Sequence, residues 1–188
     1  MTRIIEALRE EHRNIEELLV VLEQELSVFS RSERPDYEII QAVIGYFQDY
    51  PDCCHHPKED MIFEKLKARD PVAAQSVGNL EVEHLNKHTR LGRVADIIRK
   101  ILSDHVVPRQ TVEDAMRDFI EHERIHMKME ERVFFSAADS SLQPEDWAVI
   151  DARWIDWKDS MFNVAMEEKC QSLRDRILHW QRENQDNA

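Results

Sequence analysis

Residues 115–133, AMRDFIEHERIHMKMEERV, decide how the fold is read. Within them Ala115, Phe119, His122, His126, Met129 and Val133 recur at intervals of 4, 3, 4, 3 and 4. That stepping lays the side chains along one face of an α-helix, the seam by which a helix packs along a neighbour. His122 and His126 stand in the seam, so an otherwise apolar stripe carries imidazole toward the core.

The same stepping recurs along the chain. Ile5, Leu8, His12, Ile15, Leu19 and Leu22 follow it, as do His84, His88, Leu91, Ala95, Ile98 and Leu102. A shorter series joins His55, Glu59, Ile62 and Leu66. Prolines at 35, 51, 57, 71, 108 and 144 punctuate these stretches, each best tolerated in a first helical turn. Helical segments are therefore expected over 3–30, 35–68 with bends at Pro51 and Pro57, 71–104, 108–136 and 144–184.

Short connections between long helices make antiparallel neighbours. The expected fold is all-α: an up-down-up-down four-helix bundle over residues 1–140 and an additional long C-terminal helix over 141–188. On that last helix Trp147, Ile150, Trp154, Trp157, Met161 and Val164 form an aromatic stripe. It is expected to pack on the bundle or to form a homodimer face.

Composition agrees with this class. The 188 residues are 42% hydrophobic and 34% charged, which suits a globular chain, and only 3 are glycine, too few for the turns of a many-stranded sheet. The net charge of -13 would repel phosphate backbones and anionic lipid, so neither nucleic acid nor a membrane is an expected partner. The opening MTRIIEALREEH lacks the apolar stretch of a secretory signal, and cysteines 53, 54 and 170 make no disulfide framework, so a cytoplasmic protein with reduced thiols is expected.

The histidines carry the chemistry. A single core histidine is ordinarily a satisfied polar residue, but several converging from four helices would each cost on the order of 1 to 3 kcal/mol if unpaired. His55-x-x-x-Glu59 and His126-x-x-x-Glu130 also set imidazole and carboxylate one turn apart on one helical face. A bound cation is the economical way to offset both. His12, His55, Glu59, His84, His88, His126 and Glu130 make too many donors for one four-coordinate zinc, so two ions are implied. Mixed imidazole and carboxylate ligation in a helix bundle suits iron or manganese.

These stretches resemble the hemerythrin-like, HHE cation-binding family. The matching pieces are EEH ending at His12, HHPKEDMIF at 55–63, EVEHLNKH at 81–88 and HMKMEERVFF at 126–135. The resemblance implies a non-haem centre of two iron ions, with manganese or zinc as substitutes, bridged by Glu59 and Glu130. It assigns His12 and His55 to one iron, His84 and His126 to the other, and makes His88 an additional histidine ligand. It further implies a small gaseous ligand, dioxygen or nitric oxide, and a sensing or iron and redox homeostasis role; histidine-rich ligation favours reversible binding over oxygenase or peroxidase chemistry, so catalysis is not expected.

His56 and His122 are extra to that pattern. His56 lies about 100° around the helix from His55, where hydrogen bonding beside the ligands is its expected role. His122 shares the seam with His126 and would close an open coordination position if it bound metal. It also completes His122-Glu123-x-x-His126, the HExxH pattern of a zinc-dependent hydrolase, which is the alternative enzyme reading. A metal-free helical interaction module is the other.

Overall fold

The structure, a computed structural model, describes residues 2–78 and 80–186. Every regular element among them is helical and none is a strand. In chain order they are α1 (Arg3–Ser30), α2 (Tyr37–Tyr50), a π-helical turn (Pro51–His55), α3 (His56–Arg69), α4 (Pro71–Val77) and α5 (Leu80–Leu102). Then follow α6 (Arg109–Met129), a second π-helical turn (Glu130–Phe134), α7 (Phe135–Ser141), α8 (Pro144–Lys158) and α9 (Met161–Asp186). Among the described residues no helix is long and apolar enough to cross a membrane.

Helix starts follow local side-chain chemistry. Asp36 accepts from the backbone N–H groups of Glu38 and Ile39 at the start of α2. Asp70 accepts from that of Ala73 at the start of α4. Gln143 and Asp146 form a reciprocal capping box that opens α8.

Two expected helices are broken. The segment expected over 71–104 divides at Gly78, whose φ of 91° and ψ of -156° suit glycine alone. The long C-terminal helix expected from 144 to 184 divides between Lys158 and Met161. There the Asn163 side-chain amide donates to the Trp157 carbonyl at 2.7 Å, satisfying the end of α8. The segment expected to bend at Pro51 carries one turn of π-helix there, and the helix expected over 108–136 carries another at Glu130–Phe134.

Ion pairs give the helix directions. Arg124 of α6 meets Glu16 and Glu23 of α1, while Ser30 at the end of α1 meets Glu113 near the start of α6, so these helices run in opposite directions. Arg90 with Asp118 and Lys87 with Glu123 set α5 against α6 the same way. Lys169 with Asp49 and Asn184 with Asp36 lay α9 antiparallel along α2.

Two apolar clusters form the core. One holds Leu18, Leu22, Phe47, Ile98, Phe119 and Ile177; the other holds Ile4, Leu8, Ile62, Leu66, Phe134 and Ile150. Trp147, Trp154 and Trp157 pack on the second. Along α1 the change from one cluster to the other falls between Leu8 and Ile15, along α5 between Leu80 and Leu91, and in the α6 chain between Met127 and Phe134. Those gaps contain His12, His84 and Glu130. A polar layer thus separates the two clusters.

Candidate metal centre

Four helical stretches deliver six side chains to this layer. His12 comes from α1, His55 from the end of the first π turn, Glu59 from α3, His84 from α5, His126 from α6, and Glu130 from the start of the second π turn. A π turn inserts one extra residue into a helix and shifts the face that follows it, and such turns gather at functional sites. Here each adjoins a buried His-x-x-x-Glu pair, so the sequence spacing and the shifted backbone act together on the same donors.

Each carboxylate divides its oxygens between two sides. Glu59 Oε1 lies 3.4 Å from His55 Nε2 while its Oε2 lies 3.4 Å from His84 Nε2. Glu130 Oε2 lies 3.3 Å from His12 Nε2 while its Oε1 lies 2.6 Å from His126 Nε2. His12 and His55 are neighbours, with ring centres 5.1 Å apart, and so are His84 and His126, at 5.4 Å. Both glutamates therefore stand between the same two histidine pairs.

These approaches are close without being hydrogen bonds. Nε2 of His12, His84 and His126 and both oxygens of Glu59 and Glu130 are buried and have no hydrogen-bonding partner among the described residues. Orphaned polar atoms of this kind normally cost stability, and a cation among them would satisfy all of them at once. Among the described residues three overlapping sets have ligand atoms within 4.8 Å of one another: His12, His55, Glu59 and Glu130; His56, Glu59 and His84; and His84, His126 and Glu130. The residues present fit a metal.

The surroundings hold the rings in place. Glu11 Oε2 lies 2.9 Å from His55 Nδ1, and Glu11 Oε1 accepts from the buried Lys58 ammonium at 2.5 Å. Glu131 Oε1 lies 3.0 Å from His12 Nδ1. Carboxylates behind imidazoles fix ring orientation and raise ligand basicity. Burial works against charge on His55, but Glu59 and Glu11 outweigh it and lift its pKa to about 10. Burial likewise pushes the Glu59 carboxyl up, and the neighbouring histidines, His55 first, hold it well below the usual range. In the absence of a cation the layer thus keeps a proton on His55.

His88 is not brought to this cluster. Its side chain is 44% exposed and its Nε2 lies 3.1 Å from Asp52. The residues three and four positions beyond His84 flank its line on either side, and α5 is turned so that Lys87 faces inward. The Lys87 ammonium is buried, 3.2 Å from Glu123 and 3.5 Å from His56 Nε2. His56 stacks on His84 with ring centres 3.6 Å apart, its Nδ1 on Asp52 at 3.0 Å. Burial, first, pushes its pKa down to about 3, which suits a neutral ring. His122 stands apart, its Nε2 3.7 Å from Glu83, and belongs to none of the three sets. The HExxH residues are therefore not assembled around one zinc.

Sequence reasoning missed the supporting charges. Glu11 falls on a second seam with Leu8, Ile15, Leu18 and Leu22, all buried, and Glu123 on one with Met116, Ile120 and Met127. That second periodicity was the signal for both.

A family description for the hemerythrin HHE cation binding domain matches residues 3–138. The chain belongs to the hemerythrin HHE cation-binding family. No match was found among curated proteins or among solved structures. As a hemerythrin-family chain it carries a cation-binding domain, and the match runs from α1 into α7, the part that contains every donor of the buried layer. Helices α8 and α9 lie beyond the hemerythrin match.

Proposed function

We propose that this chain is a non-haem di-iron protein that binds dioxygen or nitric oxide in a sensing or iron and redox homeostasis role. The observation that carries the reading is the division of each buried carboxylate between two histidine pairs. Two bridging carboxylates with an imidazole pair on each side are the donor set that two ions require, and one ion would leave half of it orphaned. His12 and His55 would hold one iron, His84 and His126 the other, with Glu59 and Glu130 between them.

Bound iron would supply a redox-active coordination position for a diatomic ligand. With His88 outside the cluster, neither ion gains a third imidazole from α5, which leaves room for solvent or a small ligand. Glu11 and Glu131 would keep His55 and His12 aimed inward, and the apolar clusters on either side would limit access of bulk water. Manganese or zinc would fit the same donors, though zinc would not support the redox role.

The reading takes α1, α2 with α3, α5 and α6 as an up-down-up-down bundle within residues 1–140, and 141–188 as an extension packed on it. It takes the chain to act in the cytoplasm, which its free cysteines support.

Metal analysis by mass spectrometry on anaerobically purified protein, with absorption spectra before and after admitting air or nitric oxide, tests the proposal. Two irons per chain and a ligand-dependent band are expected. One zinc, or no metal after anaerobic iron reconstitution, would overturn it.

A further inference from the structure

Lys87 and Glu123 bring opposite charges into the interior beside the histidine layer. The Lys87 ammonium is buried, 3.2 Å from Glu123 Oε2 and 3.5 Å from His56 Nε2. Glu123 is 1% exposed, and neither of its oxygens accepts a hydrogen bond among the described residues. Stripping two charges of water is expensive, and close attraction offsets the cost only when hydrogen bonds complete the pair. An apolar pair of similar volume would ordinarily fill such a place at no loss of stability. Packing alone therefore does not account for these two residues.

Their position ties them to the donors. Lys87 follows His84 by three residues on α5, and Glu123 precedes His126 by three on α6. These helices run in opposite directions, so both side chains stand on the same side of the His84–His126 pair, toward the cluster that holds Phe47, Leu91 and Phe119. His56 links them to the layer, since its ring lies against Lys87 on one hand and stacks on His84 on the other, with ring centres 3.6 Å apart. The charge of Lys87 is felt by Glu130 and Glu59 as well as by Glu123. A cavity of about 10 Å³, walled by Phe47, His56, Lys87, Leu91, Phe119 and Glu123, leaves space there for about one water-sized group.

A protonated amine has three N–H donors and no lone pair, so Lys87 offers the layer a positive charge and a hydrogen-bond donor rather than a metal ligand. Screening by salt is weak for buried charges. Such an ammonium lowers the energy of negative charge placed at the His84–His126 side of the layer and raises that of positive charge.

We propose that Lys87 sets the ligand preference of the metal centre, its ammonium favouring small ligands that are anions or gain negative charge on binding, with Glu123 moderating the effect. This rests on the metal-centre reading above.

Azide titration of the oxidised, iron-loaded full chain, followed by absorption, and Co²⁺ titration of the metal-free full chain test the assignment together. Lys87→Met is expected to weaken azide binding about tenfold and to tighten cobalt binding, because one charge attracts the anion and repels the cation. Glu123→Gln, which leaves the ammonium without its counter-charge, is expected to do the reverse, and it decides the matter alone should Lys87→Met fail to fold. Arg90→Met removes the same charge one turn further along α5, where Arg90 meets Asp118, and is expected to change neither affinity. Azide affinity unmoved by both Lys87→Met and Glu123→Gln would overturn the assignment while leaving the centre standing. So would azide and cobalt affinities that fall together in both variants, an Arg90→Met effect as large as that of Lys87→Met, or loaded wild type that binds no azide. Wild-type protein that takes up neither iron nor cobalt would instead overturn the centre itself, and the assignment with it.

Discussion

Glu11 and His55 are joined at 2.9 Å, carboxylate Oε2 to imidazole Nδ1. The contact crosses from α1 to the first π turn and fixes the ring whose other nitrogen faces Glu59. Replacing Glu11 by Gln would keep the shape and remove the charge that makes His55 a better ligand. A chelator competition titration should find metal affinity about 10 to 100-fold weaker in Glu11→Gln. Unchanged affinity would mean that Glu11 serves only to pair Lys58.

Each buried carboxylate faces both histidine pairs, whereas each histidine belongs to one pair. Glu59→Ala and Glu130→Ala are therefore expected to lose binding of both ions, and His12→Ala of one. Metal counts per chain after reconstitution distinguish these outcomes. Retention of two ions in either glutamate variant would remove the bridging assignment.

Metal uptake should release protons. The folded-state pKa of His55, raised to about 10, keeps the ring protonated at neutral pH in the metal-free chain, and a metal must displace that proton. A folded pKa above the unfolded value of about 6.5 also means that His55 stabilises the metal-free fold most below pH 6.5. That contribution fades as pH rises toward 10. Calorimetry at pH 7 in buffers of different ionisation enthalpy should detect about one proton or more released per chain on loading. Binding enthalpies independent of buffer would contradict this.

Away from the centre, Arg69 donates twice to Asp146, each bond 2.8 Å, and the Gln143 N–H adds a third bond. These bonds, with Arg69 foremost, lower the Asp146 pKa to about 2. Its contribution should be complete above the unfolded value near 3.9 and disappear as pH falls through about 2. The gap in melting temperature between wild type and Asp146→Asn should therefore be constant from pH 7 to 5 and shrink below pH 4. A gap that widened in acid would reverse the sign assigned here.

Gly78 separates α4 from α5 with a backbone that a β-carbon opposes. Gly78→Ala should cost roughly 1 to 3 kcal/mol in urea unfolding of the metal-free chain. Among the described residues, its chain neighbours aside, nothing lies within 4 Å of the added methyl group. A neutral result would show that the junction relaxes to another conformation.

How much of this was legible in the sequence depended on whether one periodicity or two competed at a position. Arg3–Ser30 coincides with the segment expected over 3–30 because its leucines and isoleucines leave one consistent buried face. At α5 the seam through His84 and His88 was regular, yet the structure turns Lys87 inward, since Glu123 on α6 offers it a buried partner at 3.2 Å. A helical pattern cannot register a partner more than thirty residues away. The break before Met161 was hidden for another reason: neither proline nor glycine marks it, and a side-chain amide from Asn163 does the terminating. Four donors of the layer were legible because His-x-x-x-Glu spacing repeats on two helices, and His12 and His84 because they stand in apolar seams, while the π turns beside those pairs leave no trace in spacing alone.

The polar layer between the two apolar clusters has a mechanical consequence. Hydrophobic cohesion is continuous within each cluster and thins where His12, His84 and Glu130 cross, Trp157 alone of the named tryptophans packing on both, so the metal-free molecule is expected to be weakest along that layer. Two ions placed there would act as rivets. Amide exchange should then report two separately opening halves in the empty chain and a single slow unit in the loaded one, which would make metal status readable from the stiffness of the whole molecule.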